Sequence, residues 1–398
     1  MQYIMRIYLL LRVFGAGVFA SELSSAFVTP VGLSATHHNK AWRGTNTFTR
    51  HSRRFSSSDG PSLYGLGVSV SSISTRGGAP RASFHTLHSL RMGARSVWNR
   101  VRGRGVKTQS EADLKKDIAS FYDSSSNIWE DIWGEHMHHG YYVEGRKPKT
   151  NGDHRAAQKF MVTRSLEWAG VQEGAGAPKT GLDVGCGIGG SSRVISTKYG
   201  TSMTGITLSP VQRDRAQAIS EEAGLGNKCK FLVADGLNTP FARESFDLVW
   251  SMECGEHMPQ RSKWVAEMSR ICAPGGRILV VAWCHRNLQE GETELTPKEQ
   301  KLLKRISKVY CLPQWCSPSD YVKYFQAQGL VDIKMDDWTD NIQEFWPAVI
   351  RSSLTPKGIF GLIKSGPSTI KAAFAMLFMV RGYKTNLVKF ALITAKKP

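Results

Sequence analysis

Asp183-Val184-Gly185-Cys186-Gly187-Ile188-Gly189-Gly190 sets four glycines behind an acid, where a short apolar run gives way to a helical one. Glycines at such a turn permit tight backbone geometry and let a ligand approach the chain closely. A dinucleotide would be served as well by that pattern alone. Three further features select S-adenosyl-L-methionine. Asp183 is an acid suited to the ligand's ammonium group. About fifty residues on, Val233-Ala234-Asp235-Gly236 ends an apolar run with an acid able to accept from an adenine amino group. Phe246-Asp-Leu-Val-Trp250 and Ala273-Pro-Gly-Gly-Arg277 then follow at methyltransferase spacing. Dinucleotide folds end the second strand with an acid for the ribose hydroxyls. Here Gly205-Ile-Thr207-Leu208-Ser-Pro-Val-Gln212 has no carboxylate, so Thr207 and Gln212 are expected to hold the ribose.

A second group of residues could move protons. Glu256 and His257 follow the fourth apolar run, at the end of a strand where ligands sit in such folds. Glu135, His136, His138 and His139 form a cluster, and His285 follows the fifth run. A His-x-His-His cluster invites a metal. It lacks a supporting carboxylate pattern, and methyl transfer to an activated acceptor needs no metal, so none is expected. Any one histidine could equally be a buried, hydrogen-bonded residue that shapes a pocket.

The elements that must position these residues alternate. Strands are expected at Thr180–Val184, Ser202–Thr207, Lys230–Ala234, Phe246–Trp250 and Arg277–Ala282. Helices are expected over Ser191–Tyr199, from Pro210 to about Ala223 behind a Ser209 cap, and over Lys263–Cys272. Such alternation implies an α/β fold, a mostly parallel sheet with helices on both faces. Leu387–Thr394 reads as a strand closing the sheet's edge, and residues 285–380 as an aromatic-rich helical lid. The catalytic domain is taken as 106–398.

The chain has 398 residues and a formal net charge of +19. Residues 1–110 carry 15 Lys/Arg against Glu22 and Asp59, so most of the excess lies in a Ser/Arg/Gly-rich stretch with little to bury. That distribution argues against a basic nucleic-acid-binding face. All seven cysteines follow residue 180 and none forms a Cys-x-x-Cys pair, so neither a disulfide framework nor a zinc site is indicated. Residues 1–26 suit a signal peptide, with Ser24-x-Ala26 for cleavage, and 27–105 have transit-peptide composition. Signal before transit, with Phe27 at the junction, resembles the bipartite leaders of proteins sent to plastids bounded by extra membranes.

From about Ile118 to Pro398 the chain resembles γ-tocopherol C-methyltransferases. The resemblance is carried by Phe121-Tyr-Asp, Trp129-Glu-Asp-Ile-Trp-Gly-Glu-His-Met-His-His-Gly-Tyr141, the glycine loop through Arg193, and Gly205–Gln212. Phe246–Pro259, Trp283-Cys-His-Arg-Asn287, Leu312-Pro-x-Trp-Cys316 and Phe345-Trp-Pro-Ala-Val-Ile-Arg351 complete it. Cys254 stands where plant members are expected to have serine. The resemblance implies a Rossmann-like class I methyltransferase that moves a methyl group from S-adenosyl-L-methionine to the ring of a tocopherol-type phenol, γ-tocopherol to α-tocopherol. It adds Tyr122 and Ser251 to the expected cofactor contacts, beside Asp183, Val184, Gly185, Cys186, Gly187, Gly189, Gly190, Thr207, Leu208, Gln212, Asp235 and Gly236.

For such an acceptor His257 is the first choice of proton acceptor, with Glu256 and His138 as alternatives. The partner is a lipophilic phenol; the apolar stretch 359–380, flanked by Lys364, Lys371, Arg381 and Lys384, reads as a core helix pair or as a lid in peripheral contact with a membrane. The resemblance also reaches alkaloid amine N-methyltransferases, with Trp129, Trp133 and Tyr141 available to a cationic acceptor. A cofactor-binding protein without catalysis is the alternative from another class.

Overall fold

The computed structural model describes residues 113–116, 118–119, 130, 134–143, 151–353 and 367–398. The leader 1–105, Tyr122, Trp129, Trp133 and part of the 359–380 stretch lie outside the described residues.

Among the described residues seven strands make one sheet: β1 Thr180–Val184, β2 Ser202–Thr207, β3 Cys229–Val233, β4 Phe246–Met252, β5 Cys272–His285, β6 Val331–Asp337 and β7 Val388–Lys396. Their spatial order is β3-β2-β1-β4-β5-β7-β6. The first five run parallel, and β7 is antiparallel to both neighbours. Eight helices are labelled here: α1 Asn151–Trp168, α2 Gly190–Tyr199, α3 Pro210–Glu222, α4 Arg261–Ile271, α5 Pro297–Tyr310, α6 Pro318–Ala327, α7 Phe345–Ser353 and α8 Pro367–Lys384.

The central strands are covered on both faces, so their apolar residues run on without alternation. Leu248, Val249 and Trp250 of β4 and Ile278 to Ala282 of β5 are all fully buried. Local signals start the helices. Ser209 Oγ accepts from Gln212 N at 3.0 Å, with Pro210 at the first helical position of α3. Thr296 with Glu299, and Ser317 with Asp320, close reciprocal boxes at the starts of α5 and α6.

One expectation is corrected. The last strand does not close the sheet: β6 lies outside it. Phe390, Ala391, Leu392 and Ile393 are fully buried, as in an interior strand. In β6, Val-Asp-Ile-Lys-Met-Asp-Asp is exposed at all but Ile333. Charges on a strand suit an edge that must resist further pairing, and they hide it from an apolar-run reading. The 285–380 segment is therefore not helical throughout, since β6 extends the sheet. Tyr321 of α6 packs against Trp264 of α4, on the sheet's helical layer. Helices α5 and α8 meet, where Arg305 lies 5.6 Å over the ring of Phe378.

Strand order reverses between β1 and β4, which opens a crevice at the carboxyl ends of these strands. There the site is built.

Candidate active site

A pocket partly open to solvent lies at the carboxyl ends of β1 to β4. Asp183, Val184, Gly185, Cys186, Gly187, Gly190, Thr207, Leu208, Gln212, Asp235 and Gly236 line it, as do His138 and His257. The glycine loop is bonded to β2: Gly185 N and Cys186 N both donate to Ile206 O, at 2.9 and 3.0 Å. Gly185 has φ +81°, and a β-carbon there would run into Cys254 Sγ. At Gly190 a β-carbon would meet the carbonyl of Glu135. These two positions need glycine for close approach and, at Gly185, for backbone shape.

Asp183 is buried, and Ser192 Oγ donates to its Oδ2 at 2.7 Å. Burial pushes its carboxyl up to about 7, against the opposing pull of Ser192 and Arg193. Thr207 Oγ1 donates to Gln212 Oε1 at 2.8 Å, which joins the two expected ribose ligands into one unit. Asp235 Oδ1 accepts from Leu237 N at 3.0 Å, and its Oδ2 meets Lys115 Nζ at 2.6 Å. Leu114, Lys115, Ile118 and Ala119 form a wall that sequence reading did not assign.

Two of the expected cofactor residues stand behind the lining. Ser251 donates from Oγ to Val184 O at 2.8 Å and so braces β4 against β1. Gly189, at φ +79°, precedes α2 and packs on Phe231.

The rest of the lining near the end of β4 is formed by residues 135–138, 252–254 and 257–259. Gln158 Nε2 donates to the carbonyls of His136 and His138, at 2.6 and 2.9 Å, and pins the histidine segment to α1. His138 Nδ1 faces His139 O at 2.9 Å and must donate to it. In the neutral ring Nε2 then accepts from His136 Nδ1, at 3.0 Å. Burial lowers the pKa of both rings. Both nitrogens of His138 are thus committed, which leaves it ill placed to take a substrate proton. Among the described residues, no group of three ligating side chains is arranged to hold a metal ion.

Glu256 and His257 share the short turn Gly255–His257 but face different ways. His257 lines the pocket, and burial together with Arg261 depresses its ring to about 4. Glu256 is absent from the lining: its Oε1 accepts from Trp283 N at 2.7 Å. Burial and the nearby Glu253 push Glu256 up to about 8. Glu256 therefore faces away from the pocket, held by Trp283 N. His285 Nδ1 bonds Arg286 O at 2.6 Å, away from the lining.

Glu253, which sequence reading passed over, lines the pocket beside Met252 and Cys254. No motif announced it, because its partners His139 and Trp283 lie 114 and 30 residues away.

Residues 182–280 match the family model described as a methyltransferase domain. A probable chloroplastic tocopherol O-methyltransferase of Oryza sativa subsp. japonica is 53% identical over 286 residues, covering 72% of this chain and 79% of the relative. The chain belongs to the tocopherol methyltransferase family. A second relative in this family, chloroplastic tocopherol O-methyltransferase of Arabidopsis thaliana, is 50% identical over 294 residues, 73% of this chain and 84% of the relative. Among solved structures, geranyl diphosphate C-methyltransferase of Streptomyces coelicolor A3(2) superposes with a TM-score of 0.57 at 19% identity, over 72% of this chain and 98% of that one. That likeness is one of fold. As a tocopherol methyltransferase family member, the protein is an S-adenosylmethionine-dependent methyltransferase with a Rossmann-like class I fold.

Proposed function

We propose that this protein, in a plastid, transfers the methyl group of S-adenosyl-L-methionine to a ring carbon of a tocopherol-type phenol, converting γ-tocopherol to α-tocopherol. The observation that carries the reading is one pocket that joins the glycine loop, Thr207–Gln212 and Asp235 to an acceptor end facing His257. In this reading Asp183 meets the cofactor's ammonium, Thr207 and Gln212 its ribose, and Asp235 its adenine amino group. The first, second and third strand ends hold the cofactor, while the fourth faces the acceptor.

Methyl transfer from a sulfonium is an in-line displacement, so alignment and exclusion of water are the protein's main tasks. A phenol's pKa is near ~10, so complete prior transfer of its proton to a ring of pKa about 4 would cost roughly 8 kcal/mol. That route is closed. As the methyl arrives, however, positive charge moves to the acceptor's oxygen and its proton becomes strongly acidic. A weakly basic His257 then suffices, provided it already holds the hydroxyl by a hydrogen bond. The prenyl tail is expected to run beneath α5, α7 and α8, and contact of this lid with a membrane surface would deliver the acceptor.

An amine acceptor is the rival. Tyr141, which would supply an aromatic face to a cation, packs instead on Phe160 and Trp338, with ring centroids 5.5 and 4.8 Å apart. We expect kcat/KM for γ-tocopherol to exceed that for any alkaloid amine in one acceptor panel. Preferential methylation of an amine would refute the ring reading.

A further inference from the structure

Ring methylation moves two protons, and His257 provides for one of them. As the carbon–sulfur bond breaks, its electron pair stays on sulfur, and a ring π pair forms the new carbon–carbon bond. The hydroxyl proton passes to His257, leaving a dienone whose methylated carbon still carries its hydrogen. The electrons of that C–H bond must return to the ring, so a second acceptor has to stand at the pocket wall. It can be a weak base, because losing this proton restores an aromatic ring.

Glu253 is placed and fixed for such a task. It follows β4 directly, with φ +51°, a left-handed conformation uncommon for residues other than glycine. Its Oε1 accepts from His139 N at 2.6 Å. Its Oε2 accepts from His139 Nδ1 and from Trp283 Nε1, each at 2.8 Å. Behind them Tyr383 OH lies 3.3 Å from His139 Nε2. The rings of Phe345, Trp346 and Phe390 pack around His139, at 4.2, 5.2 and 5.3 Å between centroids. The carboxylate is therefore held from behind at its lining position. Burial alone would favour its neutral form, but attraction and hydrogen bonds from His139 outweigh burial and keep it ionised.

We propose that Glu253 is a second catalytic residue, which takes the ring proton from the carbon that has received the methyl group; the assignment rests on the ring-methylation reading above. His257 then returns its proton to the phenolate oxygen, and the proton on Glu253 passes to solvent as product leaves. The net change is one methyl gained and one ring proton lost.

The test uses the full chain, S-adenosyl-L-methionine, and γ-tocopherol carrying hydrogen or deuterium at the ring position that is methylated. Wild-type product is identified first by nuclear magnetic resonance; a product without a new aryl methyl overturns the underlying reading and this proposal together. With aryl methylation established, the wild type is expected to show no ring-deuterium isotope effect, because methyl transfer is slow. In Glu253→Gln, kcat should fall about a hundredfold, the low end for losing a positioned proton acceptor, with cofactor affinity unchanged. A normal ring-deuterium isotope effect should appear with it. Glu253→Asp keeps the charge and suits the left-handed backbone, and is expected to show the same isotope effect with a smaller loss. If either folded variant keeps wild-type turnover, or loses turnover without an isotope effect, the proposal is overturned while the ring reading stands.

Discussion

Asp183→Asn should weaken S-adenosyl-L-methionine binding by about 30-fold or more, from the 2–5 kcal/mol lost when one partner of a buried charge pair is removed. The chain should stay folded, since asparagine fills the same volume and can still accept from Ser192 Oγ. The wild type adds a signature of its own. Burial lifts Asp183 to about 7 in the free protein, so below that pH a proton competes with the cofactor's ammonium. The sign follows: the ionised form binds, and it is depleted as pH falls. The dissociation constant should rise about tenfold for each pH unit below about 7 and level off above it. Asparagine has no proton to lose, so its affinity should be flat over the same range. Calorimetry from pH 5 to pH 8 on both proteins reads this directly. A flat wild-type curve would remove Asp183 from the ammonium site.

His257→Ala should lower kcat by about 10²–10⁴, the usual range for a general base, while cofactor affinity stays near the wild-type value. The loops around Asp183 and Asp235 are untouched by that change. The base form of His257 is the neutral ring, which its depressed pKa keeps present above about 4. His257 should therefore impose no change on wild-type turnover from about pH 5 upward. The variant should gain as pH approaches the phenol's own ~10, where solvent removes the proton unaided. The readout is the variant-to-wild-type ratio of kcat across pH. A ratio that stays flat, with the loss confined to KM, would mark a pocket-shaping side chain.

Local chemistry was readable along the chain. The glycine loop, the Ser209 cap and the Thr207–Gln212 pair each depend on residues within a few positions of one another, and the structure places them as one wall of the pocket. What depends on distant partners was not. Glu253 draws its geometry from His139 and Trp283, and its left-handed backbone leaves no mark on composition. Glu256 and His257 are neighbours in sequence, yet a single short turn sends one to Trp283 N and the other into the pocket. His138 reads in the sequence as an alternative base because its hydrogen bonds to His136 and to His139 O follow from the folded segment and not from the His-x-His-His spacing. β6 escaped because the charges that protect an edge strand erase the apolar run by which strands are recognised.

Methyl transfer to a ring carbon is tested by one incubation of the protein with γ-tocopherol and S-adenosyl-L-methionine labelled with carbon-13 in the methyl group, followed by nuclear magnetic resonance of the product. The expected product is α-tocopherol, with the label in an aryl methyl and the hydroxyl still free. A label found in a methoxy group, or transferred only when an amine replaces the phenol, would contradict it.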